Sequence, residues 1–150
     1  MIRAVPIGIG HYLPARVVEN AEFEKTLDTS DDWIRDRSGI ERRHFAADGE
    51  TTSQMAIAAA RAALDMAGLA ANDIDAIVVA TSTPDLTFPS CATTVQAGSG
   101  LERGFASDLQ AGRAGFAFAL SNANAPILPG PARPGPVVGA DTFSPPLGWP

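Results

Sequence analysis

From Thr52 to Ala80 the chain reads TSQMAIAAARAALDMAGLAANDIDAIVVA, and the order of patterns in this stretch decides the fold class. Gln54, Arg61 and Asp65 fall on one stripe at i,i+4 and heptad spacing, with Met55, Ala59 and Met66 off it, which predicts a helix over Ser53 to Ala67. Thr52 is read as its cap and Gly68 as its stop. The many alanines allow close approach to a neighbour, so the helix is expected to pack on a sheet. Ile77, Val78 and Val79 in unbroken sequence predict a strand over Ala76 to Ala80 that is covered on both faces.

Working outward, Ala4 to Gly10 is an apolar run with two glycines and reads as a buried strand ending in a turn. His11 to Glu19, broken by Pro14, reads as a loop. Asn20 is placed as the cap of a short helix reaching Leu27. Ser30, with Asp31 and Asp32 behind it, starts a second helix that carries Trp33 and stops at Gly39. Beyond Thr81, a loop holding Pro84 and Pro89 leads to a helix from Ser90, a weak strand over Phe105 to Leu109 and a helix over Ala114 to Asn124. Eight of the twelve prolines lie between Pro126 and Pro150, where only Val137 to Ala140 still reads as a strand. Residues 1–125 are therefore set apart from a proline-rich continuation, 126–150. The alternation of helix and strand predicts an α/β layered structure with a mixed, largely parallel sheet.

Composition narrows the function. A chain of 150 residues, 45% hydrophobic and 19% charged, suits one globular domain, and a net charge of -6 argues against a nucleic-acid partner. No stretch approaches the roughly 20 apolar residues needed to span a bilayer, and the first ten residues lack a signal peptide's pattern, so a cytoplasmic location is expected. The single cysteine, Cys91, forms no internal disulfide, which fits a reducing compartment.

Several segments together resemble type III ketoacyl-acyl-carrier-protein synthases, thiolase-like condensing enzymes. They are Ile7 to Pro14, Asp28 to Ile34, Arg37 to Ile40, Arg42 to His44, Glu50 to Ser53, Met66 to Gly68, Ile77 to Thr81 and Phe88 to Ser90, in the family's order and spacing. Weaker traces such as Val137 to Asp141 extend the likeness. The resemblance implies about half of a duplicated, layered thiolase fold. It also implies a family function, the decarboxylating condensation of acetyl-coenzyme A with malonyl-acyl carrier protein through an acyl-cysteine. Coenzyme A thioester enters as substrate, and neither a resident cofactor nor a metal is implied.

Residue by residue, the resemblance places Trp33 and Arg37 around the adenine of coenzyme A, with Thr29 hydrogen-bonding the base. Their i,i+4 spacing on one helix suits an indole and a guanidinium gripping a flat ring; without the resemblance, Trp33 reads as a partly buried aromatic and Arg37 as a solvated charge. Phe88 falls where family members reach across a homodimer interface into the partner's acyl pocket. The family's nucleophilic cysteine lies in a motif matched here by Ala111-Gly112-Arg113-Ala114-Gly115-Phe116, so Arg113 stands in its place. A guanidinium is permanently protonated and forms no thioester. The family's catalytic histidine and asparagine are expected beyond residue 150. Three accounts of Arg113 and the prolines stay open. One is misread GC-rich DNA from a gene for a full synthase. The others are a coenzyme A-binding or dimer-modulating protein that has lost its chemistry, and a fragment with no stable fold.

Cys91, at the start of a predicted helix, is the one candidate replacement thiol, since a helix N-terminus lowers a thiol's pKa; the commoner reading is a small buried side chain. His11 and His44 have no partner spacing that suggests a base or a metal site, and Asn72, Asp73 and Asp75 read as loop and capping residues. Gly8-Ile9-Gly10 begins like a dinucleotide fingerprint, but Leu13 stands where the third glycine belongs.

Overall fold

The computed structural model describes residues 5–124 and 135–144. In chain order the elements are β1 (Arg16–Glu19), α1 (Asn20–Phe23), α2 (Asp31–Ser38), β2 (Arg42–Phe45), α3 (Thr52–Ala67), β3 (Ala76–Ala80), α4 (Cys91–Gly98), β4 (Phe105–Leu109), α5 (Gly115–Asn124) and β5 (Val137–Gly139). One-turn 3-10 helices at Ala71–Asp73 and Gly112–Ala114 precede β3 and α5. The described residues fall into two compact units, one from 5–12, 51–124 and 135–143, the other from 13–50 and 144.

The larger unit is built on a parallel sheet of order β4-β3-β5, with Ala76 opposite Phe105 and Val78 opposite Val137. The unbroken apolar run of β3 is explained by its two covered faces. Ile77 and Val79, both fully buried, pack with Ala56 and Ala60 of α3 and with Cys91, Ala92 and Val95 of α4. Val78 and Ala80 face the other way, onto Ala119 of α5. The α/β fold with a largely parallel sheet, expected from the alternation of patterns, is thus present, and β5 joins it within the proline-rich stretch. The Pro136 carbonyl accepts the Val78 N–H at 3.2 Å. Pro126, Pro129, Pro131 and Pro134, and the boundary drawn at 125/126, lie outside the described residues.

Two expectations in this unit are corrected. The cap of α3 is Thr51, not Thr52: its hydroxyl accepts the Gln54 N–H at 3.3 Å, and the Gln54 side chain accepts the Thr51 N–H at 3.2 Å. Thr52 is instead buried, donating its hydroxyl to the Thr83 carbonyl at 2.7 Å. Thr51→Ala is expected to cost about 1 kcal/mol, read as a lower midpoint in a thermal melt, because the Gln54 N–H in the first turn loses its partner. Residues 5–10 form no strand, and Val5, Ile7 and Ile9 are exposed. A Cβ on Gly8 or Gly10 would meet the carbonyl of Ala63 or Ala59 at 2.2 Å, so the glycine side lies against the backbone of α3. The alternate apolar side chains then face away from the helix, and no strand among the described residues pairs with this segment.

In the smaller unit, α2 runs between its two predicted ends. The Ser30 hydroxyl accepts the Trp33 N–H at 3.1 Å, and Gly39 closes the helix at φ 69°. Arg16–Glu19, read as loop, is a strand paired antiparallel with β2, Arg16 opposite Phe45. Two valines between charged residues are too short a signal without the cross-strand partner. Asn20 does not cap a helix to Leu27; α1 ends at Phe23. The Asn20 side chain is buried, donating to Asp31 at 2.7 Å and to the Ile40 carbonyl at 2.8 Å while accepting from Arg43 at 2.7 Å. That Asn20 hydrogen bond, with the Arg35 ion pair, holds the Asp31 carboxyl below its ordinary range against the opposing effect of desolvation. Phe23 and Phe45 lie 6.3 Å apart, flanked by Arg43 at 4.9 Å and Arg16 at 5.4 Å.

Candidate functional site

In the smaller unit, α2 presents Trp33 and Arg37 on one face, as their spacing requires. Trp33 is 55% exposed, and the Arg37 guanidinium lies 4.8 Å from its ring centroid. The two side chains stack on each other, so a planar ring enters between them only once the guanidinium swings off. Just before the helix, the Thr29 hydroxyl is buried with no hydrogen-bond partner. A hydroxyl in that state still has a donor and an acceptor to offer.

In the larger unit, β4 runs through a short turn into α5, and Arg113 sits in the 3-10 turn at that junction. Its side chain is exposed. The next turn packs tightly, because Gly115 is buried and a Cβ there would lie 3.2 Å from the Ala80 methyl. The turn is thus packed on its C-terminal side, while the side chain at 113 is exposed. Residue 113 precedes the first turn of α5, where N–H groups favour an anion and disfavour a guanidinium.

Cys91 is corrected in one respect. It does open α4, but its thiol is pushed up to about 12, not lowered, by burial first and then by the carboxylates of Asp108 and Asp85. The helix terminus that was expected to acidify the thiol is already occupied. Asp108 on β4 accepts the Cys91 N–H at 2.8 Å and the Ala92 N–H at 2.6 Å. A carboxylate at that place cancels the favourable field and adds repulsion to a thiolate. Cys91 is the small buried side chain of the commoner reading.

Phe88 lies in the loop between β3 and α4 and is 88% exposed. His11 is exposed, and the Nδ1–H of His44 donates to the Pro14 carbonyl at 2.6 Å, a structural role. Asp73 accepts the Ala70 N–H at 3.0 Å and Asp75 pairs with Arg103 at 3.4 Å, as capping and loop residues do. Among the described residues, no group of three or more His, Cys, Asp or Glu side chains is placed to hold a metal, and no helix is long and apolar enough to cross a membrane. What the sequence concealed is a polar network around the ends of β3 and β5. Asp141 accepts the Ser82 N–H at 2.6 Å and the Thr81 and Thr83 hydroxyls at 3.3 and 3.4 Å. Thr142 donates its N–H to Thr83 at 2.7 Å and shares a 2.8 Å hydroxyl contact with Thr52. Its members are up to 90 residues apart, so no local pattern announces them.

No protein-family model matches the chain. It is 68% identical to the β-ketoacyl-[acyl-carrier-protein] synthase III of Roseobacter denitrificans and 70% identical to that of Rhodobacter capsulatus, in each case over 99% of this chain and 46% of the relative. The chain matches the N-terminal portion of β-ketoacyl-[acyl-carrier-protein] synthase III. Solved synthase III structures agree with the assignment. That of Aquifex aeolicus superposes with a TM-score of 0.87 at 43% identity, over 92% of this chain and 44% of its own, and that of Thermus thermophilus with 0.85 at 44% identity, over 94% and 44%. The chain therefore spans about half the length of the synthase III proteins it matches, over their N-terminal portion. Its α/β sheet is the corresponding part of their thiolase-like fold, as the motif resemblance implied.

Proposed function

We propose that this sequence represents part of a type III condensing enzyme. In complete form such an enzyme joins an acyl group from acetyl-coenzyme A, or another acyl-coenzyme A, to malonyl-acyl carrier protein with loss of carbon dioxide. In that reaction a cysteine thiolate attacks the thioester carbonyl, the coenzyme A thiolate leaves and is protonated, and the acyl-cysteine then meets the decarboxylated malonyl group. The 150-residue chain as written does not perform the first step. One observation carries this: at the junction of β4 and α5, where the motif requires a thiol, stands Arg113. Its guanidinium holds no free electron pair at working pH and gains nothing from the helix N-terminus. Incubation of the purified chain with radiolabelled acetyl-coenzyme A is expected to leave it unlabelled, and a stoichiometric acetyl adduct on the intact chain defeats the reading. The supporting partners are an acyl carrier protein and a second copy of the chain reached by Phe88, in the cytoplasm.

A second reading has its own support in the exposed Trp33, the guanidinium over it and the unpartnered Thr29 hydroxyl. On this reading the chain still binds coenzyme A without turning it over. With Trp149→Phe removing the other indole, coenzyme A is expected to quench Trp33 fluorescence, and Arg37→Ala to weaken binding by roughly 2- to 30-fold, the range of a cation–π contact. No change in fluorescence and no binding by calorimetry end this reading. A cooperative thermal transition in a monodisperse sample counts against a fragment without a stable fold.

A further inference from the structure

Helix α2 carries Trp33 and Arg37 on one face, yet it has little apolar surface to hold it in place. Five of its eight residues are charged, and Ile34 alone is buried. A helix of about two turns is not stable by itself in water, so contacts from outside must supply what its own hydrogen bonds do not. One such contact comes from a buried amide. Asn20, the residue after β1, is 2% exposed and directs both hydrogens of its side-chain amide at α2 and its exit. One goes to the Asp31 carboxylate at 2.7 Å, the other to the Ile40 carbonyl at 2.8 Å. Asp31 opens the helix and Ile40 follows Gly39, which closes it, so a single amide group ties the entry of α2 to its exit.

The amide is itself held from the sheet side. Its oxygen accepts from the Arg43 guanidinium at 2.7 Å, and Arg43 stands opposite Val18 in the β1–β2 pair and over the Phe23 ring at 4.9 Å. Turning the amide over would set its oxygen against two acceptors and its hydrogens against the guanidinium, so these partners fix its orientation. The other ties of α2 are weaker anchors. Glu24 accepts the Asp31 N–H at 2.6 Å, and Arg35 pairs with Asp31 and Glu41, but all of these are exposed and water screens them. We propose that Asn20 is a positioning residue for the adenine grip: it sets the orientation of α2, and with it the face that presents Trp33 and Arg37, while touching no ligand itself. The ligand named here rests on the coenzyme A reading given under the proposed function. The tethering of α2 does not.

Amide hydrogen exchange on the full chain, with calorimetric titration of coenzyme A beside it, tests the proposal. Asn20→Asp keeps the size of the side chain and an acceptor for Arg43, but it removes both donors and sets a second carboxylate against Asp31. In that variant the amides of α2 are expected to exchange about tenfold faster, the scale of one lost charge-assisted hydrogen bond, while those of β1 and β2 keep parental protection. The double variant Asn20→Asp/Asp31→Asn, in which residue 31 donates back to residue 20, is expected to slow the exchange again. Parental rates in α2 of Asn20→Asp overturn the tether. If that variant loses protection throughout residues 13–50, Asp31→Ala, which removes the acceptor and leaves Asn20 in place, decides on the same criterion. In the binding arm, Asn20→Asp is expected to weaken coenzyme A roughly 2- to 30-fold in the parent and less than about twofold in an Arg37→Ala background, because both changes act through one grip. Losses that add in full overturn the positioning role. A parent that binds no coenzyme A overturns the named ligand together with the reading it rests on, and the exchange rates then judge the tether.

Discussion

Iodoacetamide added to the native protein at about pH 8 is expected to leave Cys91 unmodified over a time in which the Arg113→Cys variant takes up one alkyl group. The thiolate is the reacting species. A thiol pushed up to about 12 has only about one molecule in ten thousand ionised at that pH, against roughly a quarter for an ordinary thiol. The expected slowing is on the order of a thousandfold before burial is counted, and Cys91 is also 2% exposed. A thiol at position 113 would sit in the opposite setting, exposed at the start of α5 with no carboxylate accepting the first N–H groups of that helix among the contacts described. In denaturant Cys91 is expected to react at an ordinary rate. Comparable labelling of native and unfolded Cys91 would contradict the burial and the Asp108 repulsion together. The same geometry sets a pH dependence. Because the folded state raises this pKa, the stability it gains from keeping the thiol neutral is full below the ordinary thiol pKa, near 8.5, and falls as pH rises from there toward about 12. Urea titrations of the parent and Cys91→Ala at neutral and alkaline pH read that difference directly.

Ile77→Asp is expected to abolish the cooperative thermal transition. Ile77 is fully buried in β3, in the cluster that joins the sheet to α3 and α4. Removing its side chain forfeits about 2 kcal/mol or more of apolar burial, and placing an unpaired carboxylate there costs several more. A domain of this size has a total stability of roughly 5–15 kcal/mol, so one such change takes most of it. Ile77→Val, which deletes a single methylene, is expected to cost only about 1 kcal/mol. Phe105→Asp, on the neighbouring strand but 47% exposed, is expected to cost far less than Ile77→Asp. A cooperative melt of Ile77→Asp within a few degrees of the parent would mean that β3 is not the centre of this fold.

Much of this fold is legible in local sequence patterns. Ala76 to Ala80 declared itself by an unbroken apolar run, and its two buried faces are what such a run encodes. Ser30, Ser90, Gly39 and Gly68 were legible as helix ends because a cap acts within three or four residues of itself. The choice between Thr51 and Thr52 was not legible. Both are threonines before the same helix, and the one that does not cap is the one whose hydroxyl reaches Thr83, 31 residues on. The same reason hid the strand at Arg16–Glu19, whose identity depends on β2 beside it. It also hid that residues 5–10, which look like a strand, pair with no strand among the described residues and lie glycine-first against α3.

At the candidate site the division is similar. The motif residues alone placed Arg113 before a helix and Trp33 with Arg37 on one helical face, because both statements depend only on neighbours along the chain. Whether Trp33 meets solvent, whether Arg37 already covers it and whether the Thr29 hydroxyl has a partner are matters of three-dimensional surroundings. Cys91 marks the boundary most clearly. Its place at a helix start was written in Ser90 and the residues after it, and that place alone argues for an acidic thiol. Asp108, brought from 17 residues away by the pairing of β4 with β3, reverses the sign. Periodicity, caps and motif spacing are local and survive in the one-dimensional order. Burial and the field at a titrating group are sums over atoms that only the folded chain brings near.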